Sequence, residues 1–354
     1  MKKWLLFVAV LALSFAWGLL RERPVTAPSV HSAEPLTPPL YAADTGTSAL
    51  VRREVVLMGS QFILVADGPH EQALAAITAA SERLRRLEAE ISSWKPGSDV
   101  YRLNDNAGKF VTVGADTLTL LQLARQVHAD TGGAFDISIG AVWDLYPFRQ
   151  PGAPWPGAEQ IAAQLKNIGA DRIEIQVEAS KVRLPPGMRV NLGGIGKGYA
   201  AHVAIATLRG LGIRNAAVSA GGDIYLLGGK SGGPWQVRIA NPRWQGQVIE
   251  QFTLRDRAVA TSGDAERYVV REGKRYGHII DPRSGLPAQG VQSVTVICDD
   301  ATLADAYATA VFVLGPVEGM RWVNARAGVE ALIIDGEGYV SRSRGWAAAT
   351  GAAS

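Results

Sequence analysis

The sequence predicts an α+β fold, a single large domain in which helices pack against mixed and largely antiparallel sheets. Helical segments show apolar residues on one face and charged residues on the other, as in His70–Ile91. Strand-like segments follow one another in pairs, as in hairpins, and regular strand–helix–strand units are few. This pairing favours antiparallel sheets over a doubly wound parallel sheet. The 354 residues would also allow two domains.

Both ends of the chain are predicted to lie outside this domain. Residues 1–23 open with two lysines and continue with the apolar run Trp4–Leu20, which is typical of a signal peptide or an N-terminal membrane anchor. Residues 24–48 are rich in Pro, Ser, Thr and Ala and predict a flexible linker. The domain then spans residues 49–343, and residues 344–354 are predicted to be a disordered tail.

Composition excludes some functional classes and indicates a compartment. The chain is 47% hydrophobic and 19% charged, an ordinary globular composition, and its net charge of +3 gives no reason to expect nucleic acid as a partner. Cys298 is the only cysteine, so neither an intrachain disulfide nor a lipoprotein anchor after the apolar run can form. An exported chain without disulfides is compatible with a bacterial periplasm.

The elements of the domain are predicted in chain order from these patterns. The first half should contain a strand (REVVLMGSQFILVAD), a helix (His70–Ile91), a loop (SSWKPGSDVYRLND), a helix (Thr117–Thr131), a glycine-rich connection (Gly132–Phe148), a short helix (Glu159–Leu165) and paired strands (Ile173–Val177 and Lys181–Leu184). The second half should contain a strand, a glycine turn and a helix in VNLGGIGKGYAAHVAIATLRGLG, followed by strands in AAVSAGGDIYLLG, WQVRIANP, VIEQFTLRD and AVATSGD.

Asp305 and Thr309 are predicted to share one face of an apolar helix. Asp299 or Asp300 can cap this helix, and Gly315-Pro316 ends it. A carboxylate in such surroundings must be paired or bound to a metal, and Mg²⁺ prefers oxygen ligands. The alternative is that Asp305 pairs with an arginine and that Thr309 bonds back to its own helix.

Two further segments contain candidate site residues. In HIIDP, His278 is a titratable group at the end of a strand, and Asp281 could orient it or simply form the turn before Pro282. In NLGGIGKGY, glycines before a helix and Lys197 suit the phosphates of a pyrophosphate-containing ligand, although the spacing matches neither a Walker A loop nor a Rossmann fingerprint. The alternative for the glycines is an ordinary tight turn.

Eight segments occur in the order found in one protein family. The chain resembles the ApbE family, the FAD:protein FMN transferases, from Val51 to Ala327. The segments that carry the resemblance are MGSQF, SSWKPGSDVYRLN, GGAFDISIG, NLGGIGKGYA, SAGGDIYLLG, AVATSGD, HIIDPRSGLP and DAYATAVFVLG.

The resemblance implies a set of site residues. It assigns a metal, Mg²⁺, to Asp305, Thr309 and the backbone carbonyl of Gly194. It assigns catalysis to His278 and Asp281, and the phosphates to Lys197. The FAD pocket would be lined by Met58, Trp94, Asp136, Thr261, Ser262 and Gly263, together with His278. Trp94 stands where the family more often has Tyr, and Asp223 falls at a variable position.

The resemblance also implies a reaction. Family members cleave FAD with Mg²⁺, attach FMN to a Thr or Ser of a partner flavoprotein and release AMP. The acceptors are flavin subunits of membrane redox complexes, and the proteins are exported. Two alternatives use the same segments: hydrolysis of FAD to FMN and AMP, and a periplasmic flavin-carrier protein that supports a reductase. The loop WDLYPFRQPGAPWP is either a surface for the partner or a rigid connection.

Overall fold

The computed structural model describes residues 30–32, 50–148, 152–230 and 232–351, with the backbone alone for residues 30–32. The strands of this part of the chain are β1 (Val30–Ser32), β2 (Leu50–Leu57), β3 (Ser60–Asp67), β4 (Phe110–Thr112), β5 (Glu174–Gln176), β6 (Lys181–Arg183), β7 (Asn215–Ala220), β8 (Asp223–Leu227), β9 (Trp235–Ala240), β10 (Val248–Leu254), β11 (Ala258–Gly263), β12 (Arg267–Arg271), β13 (Lys274–Gly277), β14 (Val291–Cys298), β15 (Glu330–Asp335) and β16 (Val340–Arg342). The helices are α1 (His70–Ile91), α2 (Asp99–Asp105), α3 (Ala115–Asp130), α4 (Gly140–Trp143), α5 (Ala158–Leu165), α6 (Gly196–Gly210), α7 (Ala301–Asn324) and α8 (Trp346–Thr350), with a 3₁₀ turn at Ala170–Arg172.

An eight-stranded sheet organises the fold. Its strand order is β16-β15-β14-β11-β8-β7-β3-β2, and every neighbouring pair is antiparallel. Smaller sheets are formed by β9 with β10, by β12 with β1 and β13, and by β6 with β4 and β5. The predicted α+β fold with largely antiparallel sheets is confirmed.

The large sheet is covered on both faces. Helices α1, α6 and α7 pack on one face, where alternate residues of β3 such as Phe62 and Leu64 enter the main core. The other residues of β3, Ile63 and Val65, face the β9–β10 ribbon and a second core that contains Trp346. Because side chains alternate along a strand, a sheet covered on both faces needs apolar residues at successive positions. This requirement explains the nearly continuous apolar run of β3.

Several predicted elements need correction. The segment REVVLMGSQFILVAD is a hairpin of β2 and β3, not one strand, because Met58 and Gly59 both adopt positive φ and reverse the chain. The predicted loop SSWKPGSDVYRLND contains α2, whose first turn is capped by the Ser98 hydroxyl. The connection Gly132–Phe148 contains the short helix α4.

The chain ends also differ from the prediction. Residues Val30–Ser32 lie in the predicted linker 24–48 but form a strand paired with β12. The predicted disordered tail 344–354 is wrong for residues up to 351, because α8 places Trp346 in the second core with 1% exposure. Its indole Nε1 donates to Glu250 Oε1 over 2.7 Å. The predicted signal or anchor, residues 1–23, lies outside the described residues.

Helix α7 begins where the sequence predicts, but it continues past the predicted end at Gly315-Pro316, where the helix is only interrupted. The Asp300 carboxylate accepts the N–H of Leu303 and caps the first turn. Gly315 has φ 82° and interrupts the helix before Pro316, after which helical structure resumes to Asn324.

In the described ranges, no helix combines the length and the apolar character needed to cross a bilayer.

The packing of α8 predicts the effect of one substitution. Trp346→Ala should lower the free energy of unfolding by about 3–5 kcal/mol, because it leaves a cavity in the second core and removes the indole hydrogen bond to Glu250. Urea denaturation followed by circular dichroism measures this change. Tyr339→Ala, at a residue 73% exposed, is the matched control and should stay within about 0.5 kcal/mol of the parent. Equal stability of the two variants would contradict the packing of the tail.

Candidate functional site

A cleft of about 710 Å³ contains nearly all of the predicted site residues. Its walls come from the β2–β3 turn, the loop after α1, the loop 134–139, the glycine segment 191–197, the start of β12 and one face of α7. This volume lies in the range of cofactor sites. Asp305, Thr309, Gly194, Lys197 and His278, which lie far apart in the sequence, all line it.

The close approach of α6 to α7 places the carboxylate of Asp305. A Cβ atom on Gly198 would lie 2.2 Å from the Ala301 carbonyl oxygen and 2.7 Å from the Asp305 Cβ, so only glycine fits between the helices. The Gly198 N–H donates to Asp305 Oδ2 over 2.9 Å. The glycine after Lys197 therefore joins the predicted phosphate segment to the predicted metal ligand.

Thr309 and Gly194 line the cleft together with Asp305. The Thr309 hydroxyl lies 3.1 Å from the Ser262 hydroxyl and 3.1 Å from the place where a Cβ on Gly194 would stand. Among the described residues, Thr309 does not bond back to its helix and Asp305 does not pair with an arginine, so neither alternative reading is borne out. In the same part of the chain, no three His, Cys, Asp or Glu side chains form a metal cluster.

These oxygen atoms fit a hard cation. Asp305 is 3% exposed, and burial raises its pKa to about 7 although the charge of Lys197 opposes the shift. A cation beside the carboxylate would compensate for the lost solvation. One carboxylate with hydroxyl and carbonyl oxygens is a donor set that suits Mg²⁺, which retains waters and substrate phosphates as its other ligands.

Lys197 is held by an acidic residue that sequence reasoning did not select. Its ammonium group pairs with Asp223, which is 2% exposed and also accepts the N–H of Thr261 over 3.2 Å. Burial alone would lower the pKa of Lys197, but the charges of Asp223, Asp305 and Glu266 raise it above its ordinary value. Lys197 therefore remains a cation at the wall of the cleft. In the sequence, the only signal at Asp223 is that it follows the Gly221-Gly222 turn, which does not indicate a partner for Lys197.

His278 is arranged to accept a proton in the cleft. Its Nδ1 lies 3.2 Å from the carbonyl oxygen of Arg267. A carbonyl oxygen can only accept, so Nδ1 carries the hydrogen and Nε2 keeps its lone pair in the neutral ring. Burial, then the charges of Arg267 and Lys197, lower the pKa of His278 to about 4. The imidazole is therefore neutral at pH 7.

The carboxylate of Asp281 bonds to Arg283 and not to the imidazole of His278, where a catalytic role was predicted. Its carboxylate makes two bonds to the Arg283 guanidinium, at 2.8 and 2.9 Å, and accepts the Arg283 N–H. Its backbone carbonyl accepts the N–H groups of Ser284 and Gly285. The prediction that Asp281 orients the imidazole is wrong, because the Asp-Pro turn uses this carboxylate within itself. The alternative reading as a turn residue fits.

The residues assigned to the flavin lie in the cleft, with one change of role. Met58 and Trp94 stand at its rim, where Trp94 is 50% exposed, and Thr261, Ser262 and Gly263 come from the end of β11. The carboxylate of Asp136 instead accepts the N–H and hydroxyl of Ser138, at 2.7 and 2.6 Å, and the N–H of Ala170. It also pairs with His128. Asp136 thus shapes the wall of the cleft instead of offering its carboxylate to a ligand.

Comparisons with known proteins agree on one family. The model of the ApbE family matches residues 58–333. An FAD:protein FMN transferase of Rhodobacter capsulatus is 33% identical over 270 residues, which cover 75% of this chain and about half (51%) of that protein. One from Klebsiella pneumoniae strain 342 is 32% identical over 283 residues, 79% of this chain and 87% of that protein.

Solved structures show the same fold. An ApbE protein from Thermotoga maritima has a TM-score of 0.81 and 33% identity, covering 85% of this chain and 99% of that one. The apo form of the flavinyl transferase ApbE from Pseudomonas stutzeri has a TM-score of 0.78 and 27% identity, covering 88% of this chain and 100% of that one.

The lowered pKa of His278 predicts a pH dependence of stability. Below pH 6.5 the unfolded state protonates this histidine, whereas the folded state does so only near pH 4. Stability should therefore fall as the pH drops through this window, and His278 should contribute about 2 kcal/mol of the loss between pH 7 and pH 5. Urea denaturation at both pH values should show this loss in the parent and a smaller one, by that amount, in His278→Gln. His70→Gln, at an exposed residue, is the control; equal losses in all three proteins would refute the assignment.

Proposed function

The chain belongs to the ApbE family and is a transferase, and on this premise we propose that it cleaves FAD and attaches FMN through a phosphoester bond to a Thr or Ser of a partner flavoprotein, releasing AMP. The observation that carries the proposal is the meeting of Lys197, Asp305, Thr309 and His278 in one cleft. A dinucleotide needs a roomy cleft with a cationic group for its phosphates, and this cleft of about 710 Å³ is lined by Lys197.

Lys197 would bind the pyrophosphate. Its charge is fixed by Asp223 at the wall of the cleft, next to the N-terminus of α6. Helix N-termini and cations both stabilise phosphate groups. Neutralising the phosphate oxygens lets an acceptor hydroxyl approach the phosphorus atom. The fixed position of the ammonium group would also align the bond that breaks.

Asp305, Thr309 and the carbonyl of Gly194 would hold Mg²⁺. When bound, this ion would neutralise the charge on the phosphate oxygens during transfer. The protein supplies one buried carboxylate, a hydroxyl from the same helix and a carbonyl from the glycine segment. Such a set leaves room for phosphate oxygens as the remaining ligands.

His278 would act as the general base. Its Nε2 would take the proton of the Thr or Ser hydroxyl as that oxygen bonds to the phosphorus of FMN. The bond between that phosphorus and the bridging oxygen breaks, and AMP leaves with the electron pair. The hydrogen bond from Nδ1 to Arg267 keeps the required tautomer.

The partner would be the flavin subunit of a membrane or periplasmic redox complex. The apolar N-terminal run of the sequence supports export to the periplasm, either with cleavage or with retention as an anchor in the inner membrane. The transferred group must reach a protein side chain, so the open rim at Trp94 supports a macromolecular acceptor.

The transfer can be tested directly. The full-length protein with FAD, Mg²⁺ and a flavin-subunit domain bearing the acceptor Thr should add an FMN-sized mass to that domain. His278→Ala should slow labelling by about 10²–10⁴-fold, because the general base is lost. Asp305→Ala should abolish it. His70→Ala, remote from the cleft, should label at the parental rate.

Other outcomes of this experiment would favour other functions. AMP release with Mg²⁺ and no label, with every acceptor, would indicate an FAD hydrolase. FAD that binds and stays intact would indicate a flavin carrier, and the catalytic assignments would fail.

The metal assignment predicts a change in affinity that is independent of turnover. Thr309→Val should weaken Mn²⁺ binding, measured by electron paramagnetic resonance without FAD, by about tenfold, since it removes one oxygen ligand and leaves the shape nearly unchanged. Thr207→Val on α6 is the matched control, because that hydroxyl bonds only to its own helix, at Val203. Equal affinity in the two variants would place the ion elsewhere.

A further inference from the structure

The turn that carries Met58 at the rim of the cleft has an unusual conformation. Met58 has φ 53° and Gly59 has φ 70°, so both central residues of the β2–β3 turn are left-handed. This geometry suits glycine or asparagine, whereas a methionine there is strained. A left-handed non-glycine residue persists only where surrounding contacts stabilise it. Some contact of the surrounding structure must therefore stabilise Met58 in this conformation.

Glu88, in the last turn of α1, provides this contact. Its Oε1 accepts the backbone N–H of Met58 over 2.7 Å. The carboxylate is 17% exposed, so little water competes for this charge-assisted bond. The bond joins positions 30 residues apart and fixes the β2–β3 turn to α1.

The same carboxylate also binds the loop after α1, which carries Trp94. Its Oε2 pairs with Lys95 Nζ over 2.6 Å, and Lys95 directly follows Trp94. The Ser92 hydroxyl accepts the N–H groups of Trp94 and Lys95, at 3.2 and 3.3 Å. The loop that carries Trp94 is thus fastened to α1 at two points.

We propose that Glu88 is a positioning residue for the flavin end of the cleft, and that it sets the distance between Met58 and Trp94. This inference rests on the proposed function. Met58, Glu88 and Trp94 all line the cleft, and one carboxylate fixes the two segments that carry the apolar side chains. A flat ring system binds best between two such groups when they are already in place. Glu88 acts through Met58 and Trp94 and takes no part in the chemistry.

The proposal predicts a loss of flavin affinity with little loss of rate. Glu88→Ala should weaken FAD binding by about tenfold, the value of one charge-assisted hydrogen bond and the order it provides. FAD titrations followed by flavin fluorescence give the affinity, and the shift of the flavin absorption band on binding should shrink. In turnover, KM for FAD should rise and kcat should change by less than about threefold, since Lys197 and His278 are untouched.

Three further variants separate positioning from folding. Glu90→Ala is the matched control, because Glu90 lies on the same helix and its Oε1 accepts the N–H of Thr117, on the start of α3. It should leave the FAD affinity at the parental value. Glu88→Gln keeps an acceptor for Met58 and should restore most of the affinity. Lys95→Met removes the ion pair at an exposed site, should fold normally, and should weaken binding by about threefold.

Two results would overturn the inference. The first is an FAD affinity of Glu88→Ala equal to that of Glu90→Ala. The second, decisive if Glu88→Ala does not fold, is a parental affinity and absorption shift in Lys95→Met. If the parent protein bound no FAD, the proposed function would fail, and the inference with it. If the parent binds and transfers flavin, and the Glu88 and Lys95 variants have the same FAD affinity as the parent, only the inference is refuted.

Discussion

The contact of Gly198 with Asp305 is the constraint on which the candidate site depends. Because position 198 has no side chain, the first turn of α6 can lie against α7, and its N–H meets the buried carboxylate. Lys197 precedes this glycine and Thr309 lies one helical turn beyond the aspartate. One close approach between two helices therefore places the lysine, the carboxylate and the hydroxyl together. A side chain at 198 would separate all three, because it would collide with the Ala301 carbonyl.

The charges of the cleft explain why it favours a phosphate ligand together with a cation. Lys197 is shared between Asp223 and Asp305, and Glu266 lies near enough to raise its pKa. Burial raises the pKa of Asp305, which means that its charged form lacks compensation from the protein alone. In the proposed function, a divalent cation would supply that compensation, and the phosphate oxygens of the substrate would balance the cation. The pKa of His278 is lowered mainly by burial, and the positive charges of Arg267 and Lys197 favour the neutral base further.

The remaining architecture serves to bring distant segments to one place. The large sheet is covered on both faces, so its strands are rigid and the turns at their ends are well defined. The β2–β3 turn contributes Met58, the end of β11 contributes Thr261 and Ser262, and the start of β12 faces His278. Carboxylates that bond backbone N–H groups then fix these loops: Glu88 at the β2–β3 turn and Asp136 in the loop after α3.

The sequence by itself determined the longer helices, the antiparallel sheets and the residues whose chemistry is local, whereas the short helices α2, α4 and α8 came only from the structure. Asp305 and Thr309 could be paired because helical spacing puts them on one face, and His278 and Lys197 stood in segments with a clear resemblance. Only the tertiary structure decided which carboxylates form hydrogen bonds or ion pairs with the residues of the site. Asp223 pairs with Lys197 across 26 positions, Glu88 binds Met58 across 30 and Asp136 binds Ala170 across 34, whereas Asp281 uses its carboxylate within its own turn. The tail was predicted to be disordered for the same reason: a helix of five residues is too short to be stable alone, and this one is ordered by the core that receives the indole. Such partners depend on which surfaces meet when the chain packs, and residue spacing does not contain that information.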